Sequence, residues 1–390
     1  MKILSSSTAL ALLLLINGCT GNLSRKDLGL INLDLETLAQ NEVSLGLSDL
    51  ARKIEYIRLE TLPEALLNPT RIIYRNGNIV VLNRNGSVHL FDSEGRFIRQ
   101  IGQIGGGPDE YLGAQYMELS ADGSLIHLYF TRGRSCYTYD LDGNKVGSFQ
   151  LAYNSWRFAP IGQGKHMMIS PYGAFSTDSL PFLFFVQDET GQVIRKYPST
   201  KVMMMMGDFS IGNFFVTPKR VLAYQPFCDT VFSVDDQGGL KPAYLLDSGS
   251  HRAPDEFYDD MNEVMELAKD YFISPTLTET SDLLFIRFRR LNKYEYGLYD
   301  FKKGEIRSIK TVNNRMSNNL DGGPDFWPSG SDGDKVVYQT ILPVDLLNPD
   351  KRLTNNQIKI SDPAAGEHYG KMLNTIKVDD NPILMVVTLK

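Results

Sequence analysis

Five hairpin turns of one pattern recur along this chain, and their spacing constrains the fold more than any other feature. Each joins an aromatic or aliphatic residue, an acidic or amide residue and a turn glycine: Phe91 to Gly95, Tyr139 to Gly143, Val186 to Gly191, Val234 to Gly238 and Tyr299 to Gly304. The five glycines lie 48, 48, 47 and 66 residues apart, a period in the range of propeller blades. The long last interval carries Phe257, Met261, Val264, Met265 and Ala268 at helical spacing. Its surplus of about 18 residues is what one helix, inserted between the fourth and fifth blades, requires.

Upstream of the turns lies a second set of apolar runs rich in β-branched and aromatic residues, at 78–83, 124–130, 167–170, 220–225, 283–289 and 335–339. That makes six units. Residues 49–390 supply about 57 residues to each, enough for four strands and their loops. One open sheet of so many strands would leave hydrophobic edges, whereas radial repetition closes on itself. Ile54 to Leu59 and Ile383 to Leu389 both read as strands, and the simplest use for them is to complete the last blade from opposite ends of the chain. The expected fold is an all-β, six-bladed β-propeller with one inserted helix.

Composition agrees with a turn-rich β protein: 19 Tyr, 20 Phe and 33 Gly stand beside 3 Cys. A net charge of -6 with scattered Lys and Arg argues against nucleic acid as a partner. At the start, Lys2 precedes an apolar stretch from Ala9 to Ile16 that is too short to span a bilayer, followed by Asn17, Gly18 and Cys19. The expectation is a lipoprotein signal peptide over 1–18, a lipid on the Cys19 thiol, a polar tether over 19–48 and the propeller over 49–390. An ordinary signal peptide that contains a cysteine is the alternative. Ile31, Leu33 and Leu35 suggest one loosely docked strand within the tether. Cys136 and Cys228 fall in the second and fourth blades, so they are expected to be unpaired and buried.

The residues then resemble a known family. Ile54 to Thr61, the Phe91-Asp92 turn with Gly95, the loop from Gly105 to Tyr111, Asp229 to Phe232 and Asn381 to Leu384 are similar to those of the six-bladed β-propeller lipoproteins of Gram-negative bacteria. The resemblance covers nearly the whole chain after the signal. It implies a propeller anchored by lipid in the cell envelope, at the outer membrane, and it carries no catalytic residues. In that family the loop usually reads Gly-Pro-Gly-Glu, so Asp109 makes it more acidic here.

No motif for a nucleophile, metal set or phosphate loop is present, and catalytic residues, metal and cofactors are all expected to be none. His89 and His127 sit within strand patterns and read as strand residues. Met203 to Met206 and Trp156 read as packing. What remains is a set of loop residues that the repeat places on one face. These are Arg84, Asp109, Glu110, Tyr111, Arg132, Arg134, Asp255, Glu256, Arg289, Asp325 and Trp327. Charged groups with aromatics around one mouth of the channel suit a glycan, a peptide or a protein ligand. The competing reading gives the aromatics to blade packing and the arginines to the acids. The expected function is therefore a lipid-anchored, non-catalytic binding or protein-interaction module. A carbohydrate-active enzyme using Asp109, Glu110, Asp255, Glu256 or Asp325 is the first alternative. A structural subunit of an envelope complex, with the inserted helix as its contact, is the second.

Overall fold

The structure, a computed structural model, describes residues 30–38, 42–107, 110–130, 133–155, 157–170, 182–198, 213–225, 228–252, 266, 273–290, 293–311, 314–348 and 359–390. Six antiparallel sheets follow one another around a ring. The first is built from Pro69–Arg75, Asn78–Asn83, Val88–Phe91 and Phe97–Gln100, and the second from Tyr116–Leu119, Leu125–Phe130, Ser135–Asp140 and Lys145–Gln150. The third, fourth and fifth start with the inner strands Phe158–Gly162, Asn213–Val216 and Ile273–Glu279. Each inner strand touches the next, and Gly330–Ser331 of the sixth blade returns to Pro69–Arg75 of the first, which closes the ring. The molecule is a six-bladed β-propeller.

The last blade closes as its sequence implies. Ile383–Leu389 pairs with Val336–Ile341 on one side and with Ala51–Arg58 on the other, in register from Arg58 opposite Ile383 to Ala51 opposite Leu389. The N-terminal strand thus forms the outer edge of a blade whose other strands come from the C-terminal end. Second strands are buried on both faces because blades flank them: Ile79, Val80, Val81 and Leu82 are all at most 2% exposed. Outer strands alternate between half-buried and exposed residues, as at Phe97–Gln100.

The repeated turn has a local physical cause. Oδ1 of Asp92 accepts hydrogen bonds from the backbone N–H of Glu94 and Arg96, both at 2.9 Å. Asp188 does the same for Thr190 and Gln192, and Asp235 for Gln237 and Gly239. Gly95 and Gly143 close their turns at φ of +82° and +81°, a region that L side chains avoid.

Two findings revise the expected layout. The polar tether does not run to residue 48, because Ile31–Asp34 adds a parallel fifth strand to Leu240–Asp247 of the fourth blade, and Glu42–Val43 adds one to Glu305–Ile309 of the fifth. Leu33, Leu35, Leu38 and Leu47 are at most 3% exposed. The short apolar alternation fills the seam between those blades while its backbone satisfies their open edges. The sixth blade also carries an insertion between its second and third strands, with helices Pro343–Leu347 and Pro363–Leu373. The second is capped by Asp362, whose side chain accepts from the Ala365 N–H at 3.0 Å. Of the helix expected between the fourth and fifth blades, Glu266 is described and is helical, and the rest lies outside the described residues. Cys136 and Cys228 are free and buried.

Candidate functional site

In this connectivity every blade starts at the same face. Inner strands run from that connector face to the opposite turn face, which carries the Asp-Gly turns, and the loops between second and third strands return to the connector face. The inner strands enclose an axial cavity of about 1290 Å³.

At the turn-face end the cavity is tied by internal ion pairs. Glu118 accepts from the Arg71 guanidinium and lies 4.0 Å from Arg75 Nη2, and both Arg75 and Glu118 are buried. Arg75, the last residue of its inner strand, also donates to the carbonyls of Leu119 and Ser120 at 3.1 and 2.8 Å. Across the ring, Arg220 holds Glu279 through two hydrogen bonds of 2.8 and 2.5 Å, and the Tyr244 hydroxyl donates to Glu279 at 2.6 Å. Burial, then the Glu279 charge, pushes the Tyr244 hydroxyl well above its ordinary range. These pairs join first to second blade and fourth to fifth, so the carboxylates there are neutralised.

The connector-face end differs. Arg157, immediately before the inner strand of the third blade, donates to Asn213 Oδ1 of the fourth. Arg287 donates to Thr276 Oγ1 at 3.3 Å and lies over the Tyr294 ring, 5.2 Å from its centroid. Arg315 makes no hydrogen bond or ion pair with the described residues, although the Asp325 carboxylate feels its charge. Burial pushes the Asp325 carboxyl up to about 6, against an N–H from Asn318 and the Arg315 charge that both lower it. None of Arg157, Arg287 and Arg315 has an ion-pair partner among the described residues.

Of the loop residues singled out by sequence, Asp325 and Trp327 line this cavity. Trp327 is wedged between Phe285 and Tyr296, at ring distances of 5.6 and 4.7 Å. Tyr111, expected at the mouth, is instead 2% exposed, packs on Phe130 and Tyr139, and donates its hydroxyl to the Ile101 carbonyl at 3.1 Å. It is a wedge between blades and cannot meet a ligand at the mouth. Glu110 folds back on its own loop, where Oε2 accepts from the Gly107 N–H at 2.8 Å, and any Cβ at Gly105 would collide with it. Arg84 and Arg134 are exposed on connector-face loops, and Arg134 Nη1 reaches the Ala152 carbonyl at 3.5 Å. Arg289 lies within the fifth-blade sheet opposite Ile273 and Tyr294. Arg84, Glu110, Arg134 and Arg289 do not line the cavity. Cys19, Asp109, Arg132, Asp255 and Glu256 lie outside the described residues, as do Trp156 and Met203 to Met206.

His89 and His127 are buried strand residues, bonded to Asn83 at 2.8 Å and to Thr138 at 3.0 Å. No group of three or more metal-ligating side chains occurs among the described residues. The arginines of the cavity carry no motif in the sequence. Their one local signal is a charged residue inside an apolar inner strand, as at Arg71, Arg75, Glu118 and Glu279, where burial demands a partner or a ligand.

A profile of a domain of unknown function, DUF4934, matches residues 30–388. The chain belongs to that family. The match begins where the described fold begins, at the fifth strand of the fourth blade. Among solved structures, the chain is similar to a Bacteroides fragilis protein thought to be exported, at 19% identity over 93% of this chain and 99% of that one, with a TM-score of 0.68. A DUF4221 member from Bacteroides vulgatus is similar at 13% identity over 87% and 97% of the two chains, with a TM-score of 0.50. Both likenesses concern the fold. No curated protein matches the chain.

Proposed function

We propose that this protein is a lipid-anchored, non-catalytic binding module of the cell envelope, held at the outer membrane through Cys19, which takes a polar ligand in the connector-face mouth of its channel. The observation that carries this reading is the asymmetry of the channel. Both carboxylates at its turn-face end are taken up in ion pairs, whereas Arg157, Arg287 and Arg315 at the other end have no ion-pair partner among the described residues. Charges paired inside the channel are already satisfied, whereas guanidinium groups with no carboxylate beside them among the described residues can take one from a ligand. The Bacteroides fragilis relative, thought to be exported, supports an envelope address.

The reading is tested by hydrogen exchange on the detergent-solubilised full chain, with and without a pool of polar oligosaccharides. Protection of the segments around Arg157, Arg287 and Arg315 supports it; protection confined to the outer edges of the blades contradicts it. A carbohydrate-active enzyme is the second reading, favoured by one observation: Asp325 lines the cavity with its carboxyl pushed up to about 6, in the range of a general acid. Release of reducing ends from the same pool, abolished in Asp325→Asn, would establish it.

A further inference from the structure

We propose that the channel mouth recognises a carboxylate-bearing sugar chain, an oligosaccharide of uronic acid residues, gripped by Arg157 on one side and by Arg287 and Arg315 on the other. This rests on the reading of the channel as the ligand site, and it names the ligand class.

Charge is the first argument. With Glu118 taken by Arg71 and Arg75, and Glu279 by Arg220, the mouth is left with three guanidinium groups facing Asp325 and Asp345. An anion fits that excess, and the planar guanidinium fork matches a carboxylate in bidentate geometry. Arrangement is the second. Arg287 stands on the fifth blade and Arg315 on the connector that leaves it, whereas Arg157 stands at the start of the third blade, bonded to Asn213 of the fourth. Carboxylates spaced along a chain would meet the two walls in turn.

An open aromatic ring beside the arginines favours a sugar over an acidic peptide. Tyr294 is 51% exposed, with Arg287 over its ring, so it has an open aromatic surface beside a cation. A pyranose presents a flat C–H face to such a ring and a carboxylate to the arginine at its edge. Asn213, Asn314 and Thr276 add amide and hydroxyl groups suited to sugar hydroxyls. The cavity, at about 1290 Å³, exceeds the roughly 300–1,000 Å³ of a small-molecule pocket, so it has room for an oligomer.

Titration calorimetry on the detergent-solubilised full chain provides the test. Three probes are compared: galacturonate oligomers of four to six units, the same oligomers with their carboxyl groups reduced to alcohols, and an oligoglutamate peptide. The acidic oligomers are expected to bind, more weakly as salt rises, with the reduced oligomers at least roughly tenfold weaker. Arg315→Gln should weaken the acidic oligomers by roughly tenfold or more and leave the melting temperature within about a degree, because Arg315 makes no hydrogen bond or ion pair with the described residues. Equal binding of acidic and reduced oligomers overturns the carboxylate assignment yet leaves the channel reading standing, provided Tyr294→Ala weakens both. Binding of the peptide in place of the oligomers overturns the sugar class, and binding of none of the three overturns the proposal entirely.

Discussion

Leu33→Ala asks whether the chain ahead of residue 49 belongs to the fold. Leu33 is fully buried, opposite Leu246, and packs with Leu35, Leu38, Tyr244 and Phe288 in the seam between the fourth and fifth blades. Truncating a leucine at such a site removes its transfer free energy and leaves a cavity, a loss of about 2–4 kcal/mol. The unfolding entropy of a domain of about 360 residues is about 0.75 kcal/mol per degree, from about 2.1 cal/mol/K per residue. The midpoint should therefore fall by about 3–5 °C. Calorimetry of the detergent-solubilised full chain reads this directly, with Leu66→Ala as control because Leu66 is 61% exposed. A fall below about 1 °C, equal to that of the control, would show that residues 31–38 are a peripheral tether after all.

Cys19→Ala should move the protein from the membrane to the soluble envelope fraction with its melting temperature unchanged, and unaltered membrane retention on fractionation would contradict a lipid at that thiol. Glu118→Gln strands the Arg71 and Arg75 charges beside a neutral amide and should cost about 3–5 kcal/mol; a midpoint within a degree of the parent in calorimetry would show that the inner strands do not depend on that ion pair. Asp325 is held near 6 against an ordinary 3.8, so the folded protein keeps a proton that the unfolded chain releases between about pH 4 and 6. Its contribution to stability is present below pH 4 and lost as pH rises through 6, by at most about 3 kcal/mol. Subtracting the Asp325→Asn stability profile from the parent's should reveal that fall, and a flat difference would contradict it. Cys136 and Cys228, free and buried, should show no two-hydrogen mass change on reduction of the monomer, and a mapped disulfide would refute the blade assignment.

The parts of the fold that were legible in the sequence are those fixed locally. An Asp that accepts two backbone N–H groups and a Gly at positive φ define a hairpin within five or six residues, so turns such as Asp92 with Gly95 and Asp235 with Gly238 announce five of the six blades. Closure from Ile54 and Ile383 was legible because both runs are apolar and each would otherwise be unpaired. Of the two fifth strands, the one at Ile31, Leu33 and Leu35 showed in the sequence as a loosely docked strand, but its deep burial and the second strand at Glu42–Val43 did not, because so short a run of leucines cannot distinguish a core element from a tether. The insertion in the sixth blade lies between strands already assigned, where spacing alone gave no sign of helices. At the site the difficulty is convergence. Arg157, Arg287 and Arg315 come from three blades and meet only around the axis, so no sequence interval links them. Tyr111 misled for the opposite reason: an aromatic in an acidic, glycine-rich connector looks like a ligand platform, yet the loop turns it inward between Phe130 and Tyr139.

The most direct measurement of the central claim is a crystal structure of the protein soaked with galacturonate oligomers. The account predicts sugar density in the connector-face mouth, with carboxylate oxygens within hydrogen-bond distance of Arg315 and of Arg157 or Arg287, and with a pyranose face against Tyr294. Density on the outer edges of the blades, or at the turn face with the channel empty, would contradict it.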